Sequence, residues 1–270
     1  MKNESLKGKG PAEKTVFRKI VSIATVLYII IPFIPIIIWS FSLRWNYPDL
    51  APELSLRTWK YVLTRREILN SLGISLLVSL TVTLLSLIIG LPAGRALGLH
   101  QFRGKKCVEI LMLLPAIIPV LAVVMGMQVI FIRLGLSGTF WGVVIVQLIP
   151  AMPYMVLNLQ SVFADYSIEN EQQARVLGAG PLKTMFIVTL PKLFAGIVVA
   201  CLYTFNVSWA QYILTVMIGG SSVRTLPTVL FTYLNSGDYA MAGTVSIIFI
   251  APALVILALT SKFLSGKKER

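Results

Sequence analysis

The stretch Asp165-YSIENEQQARVLGAGPLKTMFIVTL-Pro191 begins as a polar segment and ends as an apolar one. Ser167 stands where a helix N-cap belongs, and Glu169 and Glu171 follow in the first turns, where the helix dipole favours negative charge. The helix is expected to stop at Leu177, with Gly178 as a left-handed C-cap. Pro181 suits the first position of a second helix. The segment therefore reads as helix, tight elbow, helix, and the second helix runs on into a long apolar stretch. Such a bracket is rigid and displayed on a surface, and it is suited to passing force from a partner into the helices that follow.

The surroundings of this segment set the fold class. The chain has 270 residues, 56% hydrophobic and 13% charged, with mean hydropathy +0.82. A soluble domain would carry about a quarter charged residues, so most of this chain has no need to meet water. A membrane-crossing helix takes roughly 20 apolar residues. Six stretches qualify, near 20–43, 71–97, 108–132, 139–161, 193–217 and 240–264. Backbone groups in lipid must be satisfied within the segment, so these are helices. The expectation is an all-α integral membrane protein with a six-span domain over 20–264. The bracket at 162–192 joins its fourth and fifth spans, and basic tails occupy 1–19 and 265–270. The run Ile20 to Leu43 is too long for a signal-peptide core and reads as a retained first span.

Charge sets the topology. Seventeen of the 24 Lys and Arg residues fall on the side that holds both tails, the 98–107 loop and the bracket. The other side holds Arg44, Arg57, Lys60, Arg65, Arg66, Arg133 and Arg224. Positive residues concentrate on the cytoplasmic side, so both termini are expected there. The net charge of +13 flanks apolar runs and does not interleave with aromatics, which excludes a nucleic-acid surface. Cys107, Cys201 and a lone His100 provide neither a disulfide framework nor a metal site, and both cysteines read as small buried hydrophobes. Gly90, Gly94 and Gly98 recur every fourth residue in the second span, as do Ala122 and Gly126 in the third. That spacing lets helix backbones approach closely. Prolines 32, 35, 92, 115, 119, 150, 153 and 252 lie in or beside spans and permit bends.

The bracket resembles the EAA loop of the permeases of binding-protein-dependent ABC importers. That family's pattern is Glu-Ala-Ala, three residues, Gly, about nine residues, then an apolar residue and Leu-Pro. Gly178 takes the glycine position and Leu190-Pro191 the closing pair, while Ala174-Arg175, Leu177-Gly178-Ala179 and Val188 match the flanks. The family's glutamate falls on Gln172 and its first alanine on Gln173, with Glu171 one residue early. Asn70-Ser71-Leu72, Leu113-Leu114-Pro115 and Thr225-Leu226-Pro227 are also similar to the family. The resemblance implies a type I importer fold in a bacterial inner membrane. It also implies two ATPase subunits carrying ATP and Mg, a second permease, identical or related, and an extracytoplasmic solute-binding protein. On this reading Glu171, Gln172, Gln173, Ala174, Gly178, Ala179 and Pro181 meet the ATPase. The chain itself has no GxxxxGK[ST] phosphate loop, so no cofactor is expected on it and no catalysis.

Polar residues within spans are candidates for a solute pathway because burying them costs free energy. These are Asn206, Ser208, Trp209, Gln211 and Tyr212 in the fifth span and Gln147 in the fourth; a residue of this kind standing alone is more often an interhelical hydrogen-bond partner, and the cluster 206–212 is the denser candidate. The sequence is most similar to the branch handling polyamines, iron, thiamine and phosphonates, with the sugar branch as alternative. A stand-alone secondary transporter would show intramembrane acids or a repeat between halves. A membrane-bound enzyme would show convergent catalytic groups. Neither pattern is present.

Overall fold

A computed structural model describes residues 11–43, 45 and 51–265. The parts of the expected tails at 1–10 and 266–270 lie outside the described residues. Helix α1 (Pro11–Ile30) begins inside the stretch expected as a tail, and α2 (Phe33–Ser40) continues it after a 44° bend at Pro32. An isolated bridge between Ser42 and Leu54 is the one β-pairing among the described residues. A short amphipathic helix, α3 (Arg57–Thr64), precedes the long α4 (Arg66–Leu99). The third expected span is two helices, α5 (Lys105–Ile117) and α6 (Val120–Arg133), meeting at 98°. The turn has a local cause. Pro119 forces the residue before it out of the helical region, and Ile118 sits at φ −78°, ψ 132°.

Helix α7 (Phe140–Ala164) is the fourth span. The bracket follows as α8 (Glu169–Val176), α9 (Pro181–Thr184) and a π-helical turn, Met185–Thr189. Together with α10 (Leu190–Trp209), α9 and the π turn make one apolar run, Pro181–Trp209. The fifth span was expected to continue to 217, but the chain breaks after Trp209 and resumes as α11 (Ile213–Gly219). Helix α12 (Leu226–Asn235) caps that end, and α13 (Tyr239–Ser265) is the last span. Among the described residues, four helical runs are long and apolar enough to cross a bilayer, and six spans result if each bent pair counts as one.

The long helices are turned inside out relative to a water-soluble protein. On α4 the buried stripe is Ser71, Ser75, Ser79, Ser86, Gly90 and Gly94, with Val78 and Val82 between, while Leu77, Leu80, Leu84 and Ile88 point outward. Lipid accepts the large apolar side chains, and the small residues let neighbouring backbones close in. The C-terminal half of the stripe packs on α7. A Cβ at Gly90 would lie 2.6 Å from Met155 Cγ, one at Gly94 2.6 Å from Leu159 Cβ, and one at Gly98 2.5 Å from Phe163 Cβ. Gly196 on α10 approaches Val162 of α7 in the same way, at 2.5 Å. Helix α7, clasped on both sides, is the most buried long helix, with half of its apolar window inside the protein. Gly126 on α6 meets nothing within 4 Å, so the second small-residue pair makes no contact of this kind within the chain. Cys107 is exposed and Cys201 half-buried, which corrects the expectation that both are buried.

The glycine seam gives a direct test. Gly94→Val places a Cβ 2.6 Å from Leu159 Cβ and 3.1 Å from both the Leu159 carbonyl carbon and the Gln160 nitrogen, even before its methyls are added. Overpacking of this kind costs about 1–3 kcal/mol. Thermal unfolding in detergent is expected to show that loss, with Gly126→Ala close to wild type.

Candidate functional site

The bracket leaves α7 at Ala164 and turns through Asp165 to Ile168 into α8. Ser167, expected as the N-cap, makes no capping bond; the cap position falls on Ile168, and Glu169 and Glu171 occupy the first turn. The other end follows the sequence reading. Gly178 adopts φ +85°, its N–H donates to the Arg175 carbonyl at 3.0 Å, and the Ala179 N–H donates to the Ala174 carbonyl at 3.0 Å. These two bonds are a Schellman motif, which satisfies the last carbonyls of α8 and fixes the exit direction. Gly180 is extended and Pro181 opens α9. No Cβ would clash at Gly178, so glycine is favoured there by backbone conformation and not by space.

One residue of α8 is buried, and it is charged. Glu171 is 2% exposed, and both of its oxygens accept from the Arg95 guanidinium of α4, at 2.8 Å (Nη1 to Oε1) and 2.6 Å (Nη2 to Oε2). Thr189, at the end of the π turn, donates its hydroxyl to Oε1 at 2.7 Å. Arg175 approaches from the next turn of α8 at 4.0 Å. The Arg95 guanidinium also lies 5.9 Å from the centre of the Phe163 ring on α7. Paired, bidentate geometry of this kind is what makes a buried carboxylate tolerable. The hydrogen bonds from Arg95 first, and the bond from Thr189 after it, hold the Glu171 carboxyl below the usual carboxylate range against the opposing effect of burial.

The remaining bracket residues face out. Gln172, Gln173, Gly178 and Pro181 are exposed, and Ala174 and Ala179 are half-buried. Gln172 and Gln173 line a shallow depression of about 550 Å³ with Glu169, Val176 and Leu177. Val176 and Leu177 are each 87% exposed and Leu182 is 74% exposed. Val176 and Leu177 thus leave two adjacent aliphatic side chains bare at the end of a polar helix.

The six expected pathway residues divide. Gln147 is buried and bridges three helical segments: Ser208 Oγ donates to its Oε1 at 2.6 Å, and its Nε2 donates to Thr215 Oγ1 at 2.9 Å. Trp209 is buried between Phe205 and Phe249 and donates from Nε1 to the Phe249 carbonyl at 3.1 Å. These three side chains lock α7, α10, α11 and α13 together. Asn206 is exposed and bonds back to the Leu202 carbonyl of its own helix. Gln211 and Tyr212 occupy the break after α10, where Tyr212 stacks on Phe231 at 4.0 Å between ring centres. No cluster of metal-binding side chains occurs among the described residues.

The family described as "Binding-protein-dependent transport system inner membrane component" matches residues 86–265. A putative 2-aminoethylphosphonate transport system permease protein, PhnV, of Salmonella paratyphi A is 28% identical over 240 residues, 87% of this chain and 90% of that one. The molybdenum transport system permease protein ModB of Mycobacterium tuberculosis is 26% identical over 265 residues, 92% of this chain and 95% of that one. Among solved structures, a chain of a bacterial ABC transporter involved in importing the acidic polysaccharide alginate superposes with a TM-score of 0.73. It has 15% identity and covers 96% of this chain and 99% of its own. A chain of the MetNI methionine ABC transporter in an inward-facing form gives 0.61 at 16% identity, over 78% of this chain and 98% of its own.

The charge on Glu171 can be tested by pH. Its carboxyl is held below the ordinary value of about 4.3, so the stability it contributes is fully present above that value and is lost as pH falls through the folded value. The melting-temperature gap between wild type and Glu171→Gln in detergent is expected to stay constant from about pH 8 to 6 and to close towards about pH 3.

Proposed function

Since the chain belongs to the family of binding-protein-dependent transport system inner membrane components, we propose that it forms half of the solute pathway of an ATP-driven importer and docks a separate ATPase on the bracket at 162–192. Membership makes it a multi-pass, non-catalytic permease subunit. The docking reading is carried by one observation: Val176 and Leu177 stand 87% exposed beside an elbow closed by the two Schellman hydrogen bonds. A surface-displayed apolar pair on a fixed support is what a partner's cleft requires. Gln172 and Gln173 supply neutral hydrogen-bonding groups around it.

The rest of the assembly follows from that reading. Two ATPase subunits engage two brackets, a second permease completes the pathway, and an extracytoplasmic protein delivers the solute. Both termini and the bracket lie in the cytoplasm, in keeping with the distribution of Lys and Arg. The solute is a small oxyanion, phosphonate-like or molybdate-like. Relatives named for 2-aminoethylphosphonate and for molybdenum support this class, and the spans offer no interior Asp or Glu to attract a cation.

Copurification from membranes is expected to bring down an ATPase with the wild-type chain. Gly178→Asp adds charge at the tip without a steric clash, and Asp tolerates the left-handed conformation better than most residues. The variant is therefore expected to reach the membrane while losing both the ATPase and transport. Transport that persisted in the absence of an ATPase would overturn the reading. Titrating the accompanying binding protein with molybdate and with 2-aminoethylphosphonate tests the solute class.

A further inference from the structure

Glu171 sits where a docking contact was expected, yet it points into the protein. It is the only buried side chain of α8, an eight-residue helix that buries no apolar side chain of its own. The helix is thus fastened to the membrane body chiefly by one carboxylate. That carboxylate reaches two elements at once: Arg95 near the cytoplasmic end of α4, and Thr189 at the junction of the π turn with α10. Arg95 lies between Gly94 and Gly98, the residues that seat α4 on Leu159 and Phe163 of α7. A push on the outer face of α8 therefore has a short, stiff route into the second and fifth spans through three polar side chains.

The π turn fits this assignment. A π turn carries one residue more than the α-helical ladder accommodates, and such turns recur at functional sites. Here it spans Met185–Thr189 and ends on the residue whose hydroxyl bonds Glu171. Met185, at its other end, places its sulfur 3.8 Å from Arg95 Nη1. The turn thus presents both of its ends to the same ion pair.

We propose that Arg95, Glu171 and Thr189 form the transmission strut of the importer, converting ATPase movement at the bracket into movement of α4 and α10. They are positioning residues and touch neither ATP nor solute. The proposal rests on the ATPase-docking reading above and adds which side chains carry the movement inward.

The test uses the complete transporter in proteoliposomes, with ATPase and binding protein present, and reads ATP hydrolysed per solute imported. Arg95→Met, Glu171→Gln and Thr189→Val are expected to retain the ATPase on copurification and to keep hydrolysing ATP. Import per ATP is expected to fall by about tenfold or more for the two charge variants, within the range of allosteric coupling energies, and less for Thr189→Val. Arg95→Met combined with Glu171→Gln should be no worse than either single variant, since both remove the same connection. A merely structural role would lower the amount of folded complex while leaving ATP per solute unchanged, and that result overturns the proposal. Loss of the ATPase from Glu171→Gln would also overturn it, because Glu171 would then be a docking contact. If the wild-type chain captures no ATPase, the docking reading fails first, which the copurification step reveals before any ratio is measured.

Discussion

The approach of α4 to α7 through Gly90, Gly94 and Gly98 is the contact on which the rest of the structure depends. Inside a bilayer two helices gain nothing by hiding apolar surface from each other, since lipid receives that surface equally well. What they gain is close packing, and it requires one side of the seam to be nearly bare. Met155, Leu159 and Phe163 fill the hollow that the three glycines leave. The same seam fixes the rotation of α4 about its axis, and so decides where Arg95 points. With the glycines turned to α7, the guanidinium lies beside Phe163 and meets the first turn of α8. The bracket is therefore positioned by packing in the membrane and attached by charge just outside it.

On the docking reading, that division of labour suits a part that must be stiff and yet respond. Apolar burial is non-directional and would let α8 slide over its support. A bidentate ion pair fixes both distance and orientation. The Schellman elbow adds a second restraint at the far end of α8, and α9 and the π turn carry the chain from there directly into α10. At the opposite end of the spans, Ser75 accepts a hydrogen bond from the Leu226 N–H at the start of α12, so α4 is anchored at both ends by polar contacts that lipid cannot replace.

Local chemistry was legible in the sequence, while rotation about helix axes was not. The elbow could be read because Gly178 and Pro181 act through their own backbone conformations, and both do so where expected. The glycine seam could be read from its spacing of four, although the same spacing at Ala122 and Gly126 marks no contact of this kind within the chain. The serines of α4 carried the same information, at 71, 75, 79 and 86, but within a uniformly apolar helix they looked like background. The 98° turn was half visible: eight prolines signalled bends, and only the position of Ile118 before Pro119 made one this sharp. The break after Trp209 has neither glycine nor proline to announce it. The cluster at 206–212 read as one polar face, yet it divides between a buried lock around Gln147 and residues at the break, because the helix ends in its middle.

The early glutamate is the clearest case of geometry changing a reading. Adjacent residues on a helix differ by about 100° around the axis, so a charge at 171 cannot stand in for one at 172. Glu171 is turned to Arg95, and Gln172 is turned to the outer depression. A chain with glutamate at both positions would present an anion inward and another outward. This one keeps the inward charge and gives up the outward one, leaving Val176 and Leu177 as the dominant feature of the exposed face. On the docking reading, recognition of the ATPase then rests on shape and apolar burial, and electrostatics is reserved for the connection behind it. A partner that fits this bracket needs a cleft lined for two aliphatic side chains and does not need a cation aimed at residue 172.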